Sequence, residues 1–120
     1  MSLTLQPVSL QQLRLAIESS DAATLIGFYA DGAEIQIVDK DHPPSKPRIL
    51  GGREEIAAYY EDVCGRAMSH EIIQGLSSEN RLAFTEACRY PDGSRVLCTA
   101  MLELDGGRIV RQTNLQAWDE

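Results

Sequence analysis

Between Arg81 and Trp118, apolar and polar residues alternate in three runs, 82–90, 95–104 and 108–118. A period of two sends successive side chains to opposite faces of a strand. Pro91-Asp92-Gly93 separates the first two runs and Asp105-Gly106-Gly107 the last two. Both triplets are strong turn signals. The pattern predicts an antiparallel meander over the last third of the chain.

Register decides which alternate set faces the core. Pro-Asp-Gly suits a three-residue loop, a type I turn closed by a glycine bulge. That loop pairs Tyr90 with Ser94, Cys88 with Val96, Glu86 with Cys98, Phe84 with Ala100 and Leu82 with Leu102. The shared face is then apolar except for one carboxylate, Glu86. A two-residue loop sets Glu86 beside Thr99 on a half-polar face, so the first register segregates apolar residues better. At the second turn two registers stand open. A three-residue loop pairs Leu104 with Arg108 and brings Gln112, Asn114 and Gln116 onto the face of Ala100, Cys98 and Val96. A loop of the two glycines alone gives those places to Thr113 and Leu115. In the first case Glu86, Cys98 and Asn114 form one lateral row, with Glu86 and Asn114 ~10 Å apart at a strand spacing of ~4.8 Å.

Upstream the period lengthens to that of a helix. Ser9-Leu10-Gln11-Gln12 is a capping box, and Leu10, Leu13 and Ile17 recur on one face behind it. Asp21 can cap a second short helix with Ala22, Leu25, Ile26 and Tyr29 inward, broken at Asp31-Gly32. Residues 33–38 read as a strand. Residues 39–50 hold Pro43, Pro44 and Pro47 and read as a loop. A third helix runs from Arg53 to about Cys64, with Ile56, Tyr59 or Tyr60, and Val63 as its stripe and Gly65 at its end. Residues 69–76 form a further strand, closed by Ser77-Ser78-Glu79-Asn80. Helices followed by a meander predict an α+β domain with its sheet curled around the helices.

Length bounds this to one domain, 1–120, large enough for a core. Eleven Lys and Arg stand against 18 Asp and Glu, a net charge of -7. That balance argues against nucleic acid, whose phosphates need a basic face. No apolar run approaches the ~20 residues of a membrane span, so no membrane partner is expected. The start lacks the pattern of a signal peptide, and Met1-Ser2-Leu3 is compatible with a cloning scar. Cys64, Cys88 and Cys98 have no metal-type spacing and read as buried thiols in a reduced, cytoplasmic setting.

The candidate chemistry centres on Glu86. A carboxyl buried among apolar side chains is held toward its neutral form, which suits proton transfer from carbon. Against this, Glu86 can pair with Arg89 or Arg111, or face solvent in the other register. Tyr60, Gln112 and Asn114 can polarise a carbonyl; equally, Tyr60 can be core, and Gln112, Asn114 and Gln116 an exposed or dimer-facing row. Phe84 and Cys98 would line the same space. His42 reads as a solvated loop residue beside a proline-rich lid, and His70 as a rim or interface residue. Two histidines so far apart make a poor metal site, and no phosphate loop, cofactor cradle or nucleophile motif is visible.

Three segments carry a family likeness: Phe28-Tyr29-Ala30-Asp31-Gly32-Ala33-Glu34-Ile35, Gly51-Gly52-Arg53-Glu54-Glu55-Ile56, and Leu104-Asp105-Gly106-Gly107-Arg108-Ile109-Val110. In this order they resemble the nuclear-transport-factor-2-like (NTF2-like) superfamily, in its SnoaL-like and ketosteroid-isomerase-like branch, over nearly the whole chain. The resemblance implies a cystatin-like, cone-shaped half-barrel of curved antiparallel sheet, with three helices on its concave side. It implies a ligand pocket inside the cone and a homodimer. The ketosteroid-isomerase catalytic groups do not carry over. The base aspartate falls at Ile37, the oxyanion tyrosine near Leu13 and the protonated aspartate near Ala100. Tyr60 matches a pocket tyrosine of the third helix, and Asp119 loosely matches an acidic residue of SnoaL-like cyclases.

Three functions fit. The first is a cofactor-independent acid–base enzyme (isomerase, cyclase, hydratase or hydrolase) on a small apolar molecule. The second is a non-catalytic binder of such a molecule. The third is a dimerisation domain that uses the outer sheet face, where Leu97, Thr99 and Met101 lie. Fold alone cannot choose between them. A cavity holding Glu86 favours the enzyme, a cavity without ionisable groups the binder, and a filled cone the dimerisation domain.

Overall fold

The computed structural model describes residues 7–119, so Met1-Ser2-Leu3 lie outside the described residues. Among these there are three helices and six strands. Helix α1 (Leu10–Glu18) begins on the expected capping box: Gln12 N–H donates to the Ser9 hydroxyl at 3.1 Å, and Ser9 N–H donates to Gln12 Oε1 at 2.9 Å. Leu13, Ala16 and Ile17 turn inward. Helix α2 (Ala22–Gly27) is capped by Asp21, which accepts Thr24 N–H at 3.1 Å.

The second helix ends earlier than its pattern predicted. Strand β1 spans Tyr29–Val38, so Tyr29 belongs to the sheet. Phe28 closes α2, and its carbonyl accepts the N–H of Ile109. The proline-rich stretch also yields a strand, β2 (Arg48–Gly51). Pro47 is the last proline of that stretch, so the ladder starts directly after it. Helix α3 (Arg53–Cys64) follows Gly52, whose φ of 87° suits glycine.

The remaining strands are β3 (Ser69–Ser77), β4 (Arg81–Arg89), β5 (Arg95–Asp105) and β6 (Arg108–Trp118). The spatial order is β2-β1-β6-β5-β4-β3. The sheet is curved and unclosed, with α1 against β3 and α3 against β1 on its concave side. Among the described residues each pairing is antiparallel except β1 with β6, which is parallel. Gly75 lets α1 approach β3 closely, since a Cβ there would lie 2.6 Å from Leu10 Cδ2.

The first hairpin takes the three-residue loop. Tyr90 N–H donates to Ser94 O, Gly93 has φ 93°, and Glu86 pairs with Cys98. The second turn combines the two open alternatives. Gly106 and Gly107, with φ of 60° and 82°, form a two-residue loop that pairs Asp105 with Arg108; two successive positive φ values match the turn that strand twist favours. A bulge at Val110 then shifts the register, so Leu102 pairs with Gln112, Ala100 with Asn114 and Cys98 with Gln116. The polar row faces inward, as the three-residue loop required, but one pair further along. The expected lateral row of Glu86, Cys98 and Asn114 is therefore corrected to Glu86, Cys98 and Gln116.

Candidate functional site

Between the helices and the sheet the core opens into a cavity of about 250 Å³. Glu86, Tyr60, Phe84, Cys98, Gln112, Asn114 and Gln116 all line it. The fold thus brings together every residue singled out for this pocket. Ile37 and Ala100 contribute apolar wall, whereas Leu13 is packed in the core. Asp119 sits outside, where its carboxylate accepts Arg95 N–H at 2.9 Å and closes the strand end.

One wall is a chain of hydrogen bonds. The Tyr29 hydroxyl donates to Gln112 Oε1, so the Tyr60 hydroxyl, 2.6 Å away, donates to Tyr29. Gln112 Nε2 then donates to Asn114 Oδ1 at 2.9 Å. Tyr29, Gln112 and Asn114 are each at most 5% exposed, and buried polar groups persist when paired in this way. Burial raises the pKa values of Tyr29, Tyr59 and Tyr60 well above the ordinary tyrosine range, so all three hydroxyls are protonated at neutral pH. The Asn114 amide nitrogen and the Tyr59 hydroxyl have no partner among the described residues and remain accessible.

The facing wall is a cluster. His70 Nδ1 lies 2.7 Å from Glu86 Oε2 and 3.3 Å from Cys88 Sγ, and the Cys88 thiol donates to the same Oε2 at 3.1 Å. The side chains of His70 and Glu86 are 5% and 14% exposed. Glu86 does not pair with arginine or face solvent; its partner is a histidine. With Oε2 holding both contacts, Oε1 is left free. His70 Nε2 is shut off from solvent and has no hydrogen-bond partner among the described residues. Burial and the nearby charge of Glu86 push the Cys98 thiol up to about 12 and the Cys88 thiol higher still. Neither supplies a thiolate nucleophile at neutral pH.

Sequence reasoning read His70 as a rim or interface residue at the start of its strand and set no register for that strand. Ser77 pairs with Leu82, and continuing in step would set His70 against Arg89, which points outward. A bulge at Ile73 instead sets His70 against Cys88, on the inner face. Tyr29 and Tyr59 were read only as apolar stripe, because the pattern does not show where a hydroxyl ends.

The cavity mouth carries charge. His42 lines it and bonds Asp39 through Nδ1 at 2.8 Å, so it is not a purely solvated loop residue. Burial alone would raise the Asp39 pKa, but hydrogen bonds from His42 and from Asp41 N–H hold it below the usual carboxylate range. Lys40 sits 4.4 Å over Trp118, and Arg48 lies 5.3 Å over Tyr59.

The architecture has close counterparts among solved structures. An NTF2-like protein of unknown function from Mesorhizobium loti superposes with a TM-score of 0.79, covering 96% of this chain and 99% of that one at 15% identity. The fold is NTF2-like. An NTF2-like protein of unknown function from Burkholderia xenovorans matches at TM-score 0.74 and 18% identity, over 92% of this chain and 80% of its own. A candidate ketosteroid isomerase from Kribbella flavida matches at TM-score 0.74 and 14% identity, over 92% and 74%. No protein-family model matches the chain, and no curated protein does. Among the described residues no helix is long and apolar enough to cross a membrane.

Proposed function

We propose that the chain is an acid–base enzyme acting on a small, largely apolar carbonyl compound or epoxide, with Glu86 as the proton-transfer group. One observation carries this reading: Glu86 has one oxygen fixed by His70 and Cys88 and the other free, in a cavity that also holds the free donors of Tyr59 and Asn114. A base needs a fixed lone pair within reach of the proton it removes. Charge developing on the substrate oxygen needs donors already in place. Tyr60, Tyr29 and Gln112 hold the donor side rigid. Isomerase, cyclase, hydratase and hydrolase chemistry all remain within this class. The candidate ketosteroid isomerase among the structural neighbours lends the fold an example of such chemistry. Its expected groups, at Ile37, near Leu13 and near Ala100, are apolar here, so the reaction would run through Glu86 instead.

The test is a screen of small enolisable ketones in D2O, following loss of C–H signals by NMR, with epoxide opening assayed beside it. Wild-type protein should exchange or convert at least one compound, and Glu86→Gln should not. Equal behaviour of the two proteins overturns the assignment. A compound that binds both proteins equally and is never converted makes the chain a binder.

The outer face of the sheet supports a two-fold dimer. Leu97, Met101 and Leu115 are about half exposed, at 48%, 58% and 54%. Exposed apolar side chains on one sheet face, here interspersed with Thr99 and Thr113, are the kind of surface a second copy can cover. Light scattering on a dilution series should show a dimer, and Met101→Glu should yield a monomer. A monomeric wild-type protein refutes this. Three unpaired thiols suit a reducing, cytoplasmic setting.

A further inference from the structure

We propose that His70, Glu86 and Cys88 form a binding site for a zinc-class divalent cation, and that such an ion switches the proton-transfer site off. Binding stands on the cluster alone; the inhibition rests on the acid–base reading of Glu86. Glu86 and Cys88 are two apart on β4 and share its inner face, and His70 is the cross-strand partner of Cys88. Their donor atoms all lie within 4.8 Å of one another.

The geometry is close to that of a bound ion. Metal bonds of ~2.0–2.3 Å at tetrahedral angles separate ligand atoms by roughly 3.3–3.6 Å. The present separations are 2.7, 3.1 and 3.3 Å. Each must open by roughly 0.3–0.6 Å to reach those tetrahedral separations, a small adjustment for three side chains with free torsions. A carboxylate, a thiolate and a neutral imidazole sum to two negative charges, which neutralise a divalent ion inside a wall that water reaches poorly. Sulfur and imidazole select zinc-class ions over magnesium or calcium. Three protein ligands leave one position for water or a ligand from the cavity.

On binding, the metal–sulfur bond replaces the thiol S–H, whose proton leaves to solvent. The imidazole proton moves from Nδ1 to Nε2, which has no acceptor among the described residues, so the ion binds at the cost of one buried unpaired N–H. Metal bonded to Oε2 withdraws charge from the whole carboxylate, so Oε1 no longer accepts a proton from substrate.

The experiment uses the full chain, stripped with chelator and titrated with Co²⁺ under reducing, anaerobic conditions. A near-ultraviolet thiolate-to-cobalt band should appear, saturate at one ion per chain and disappear on adding Zn²⁺. Loss of an outer-shell partner already costs about 10–100-fold in metal affinity, so Cys88→Ser should remove the band and weaken binding by more than ~100-fold. His70→Gln should weaken it as well. Cys98→Ser, a change in the same cavity, should keep the band. Circular dichroism checks that each variant is folded. Absence of a thiolate band in folded wild-type protein, or its persistence in Cys88→Ser, overturns the site. Once a turnover is found, Zn²⁺ should suppress it and chelator restore it. A cobalt band without any turnover leaves the metal site standing and removes only the acid–base reading. Turnover that is insensitive to bound Zn²⁺ removes the switch.

Discussion

The two walls of the cavity are built to opposite rules. On the side of Tyr29, Tyr60, Gln112 and Asn114, the hydroxyls and amides hand one hydrogen bond to the next. On the side of His70, Glu86 and Cys88, two donors crowd one carboxylate oxygen while Nε2 has no partner among the described residues. A satisfied buried network rigidifies a fold, whereas a buried group without a partner carries a desolvation cost. The contrast assigns rigidity to the first wall, which also holds the Asn114 donor, and proton transfer to the second.

The sharpest test of that division is Glu86→Gln, which keeps shape and removes proton acceptance. General acid–base groups contribute ~10²–10⁴-fold, so turnover should fall by about that factor while the melting temperature stays level. A large fall in melting temperature would make Glu86 structural and erase the contrast.

Cys98 lies beside Glu86 in the pairing and reports on the dryness of the reactive wall. With its thiol pushed up to about 12, only about 10⁻⁴ of it is ionised at pH 8, so alkylation should run ~10³ slower than at a free thiol. The rate should climb about tenfold per pH unit, because the thiolate fraction does. Timed iodoacetamide labelling followed by peptide mass spectrometry measures it; rapid labelling at pH 8 would mean a wet wall.

Gln112→Leu attacks the paired wall. It removes the acceptor of the Tyr29 hydroxyl and the donor to Asn114 Oδ1, and leaves both buried groups unpaired. A loss of about 3 kcal/mol is expected, within the range for breaking a buried network. Thermal and urea melts check it; an unchanged melt would show that the polar row carries no stability.

Tyr29→Phe is the mildest probe. It leaves Gln112 Oε1 without its donor and the Tyr60 hydroxyl without its acceptor. Unsatisfied buried groups cost ~1–3 kcal/mol, or about 4–12 °C in melting temperature for a domain of this size. Turnover should change less than in Glu86→Gln. The reverse order would exchange the roles of the two walls.

The alternation of residues 82–104 and the Pro-Asp-Gly turn determined by themselves that Glu86 points inward beside Cys98. The capping box and apolar spacings likewise determined α1 and α3. These features are local: a turn type and a side-chain period act over a few residues, and sequence carries them directly. The partners of Glu86 were decided elsewhere. A bulge at Ile73 turned His70 inward, and the two-glycine loop together with a bulge at Val110 set Gln116, rather than Asn114, beside Cys98. A single extra residue reverses the facing of all that follows. Its position depends on how the curved sheet fits against α1 and on the parallel docking of β1 on β6. Those contacts join residues far apart in the chain, so the composition of the site was settled by the packed molecule rather than by any local pattern.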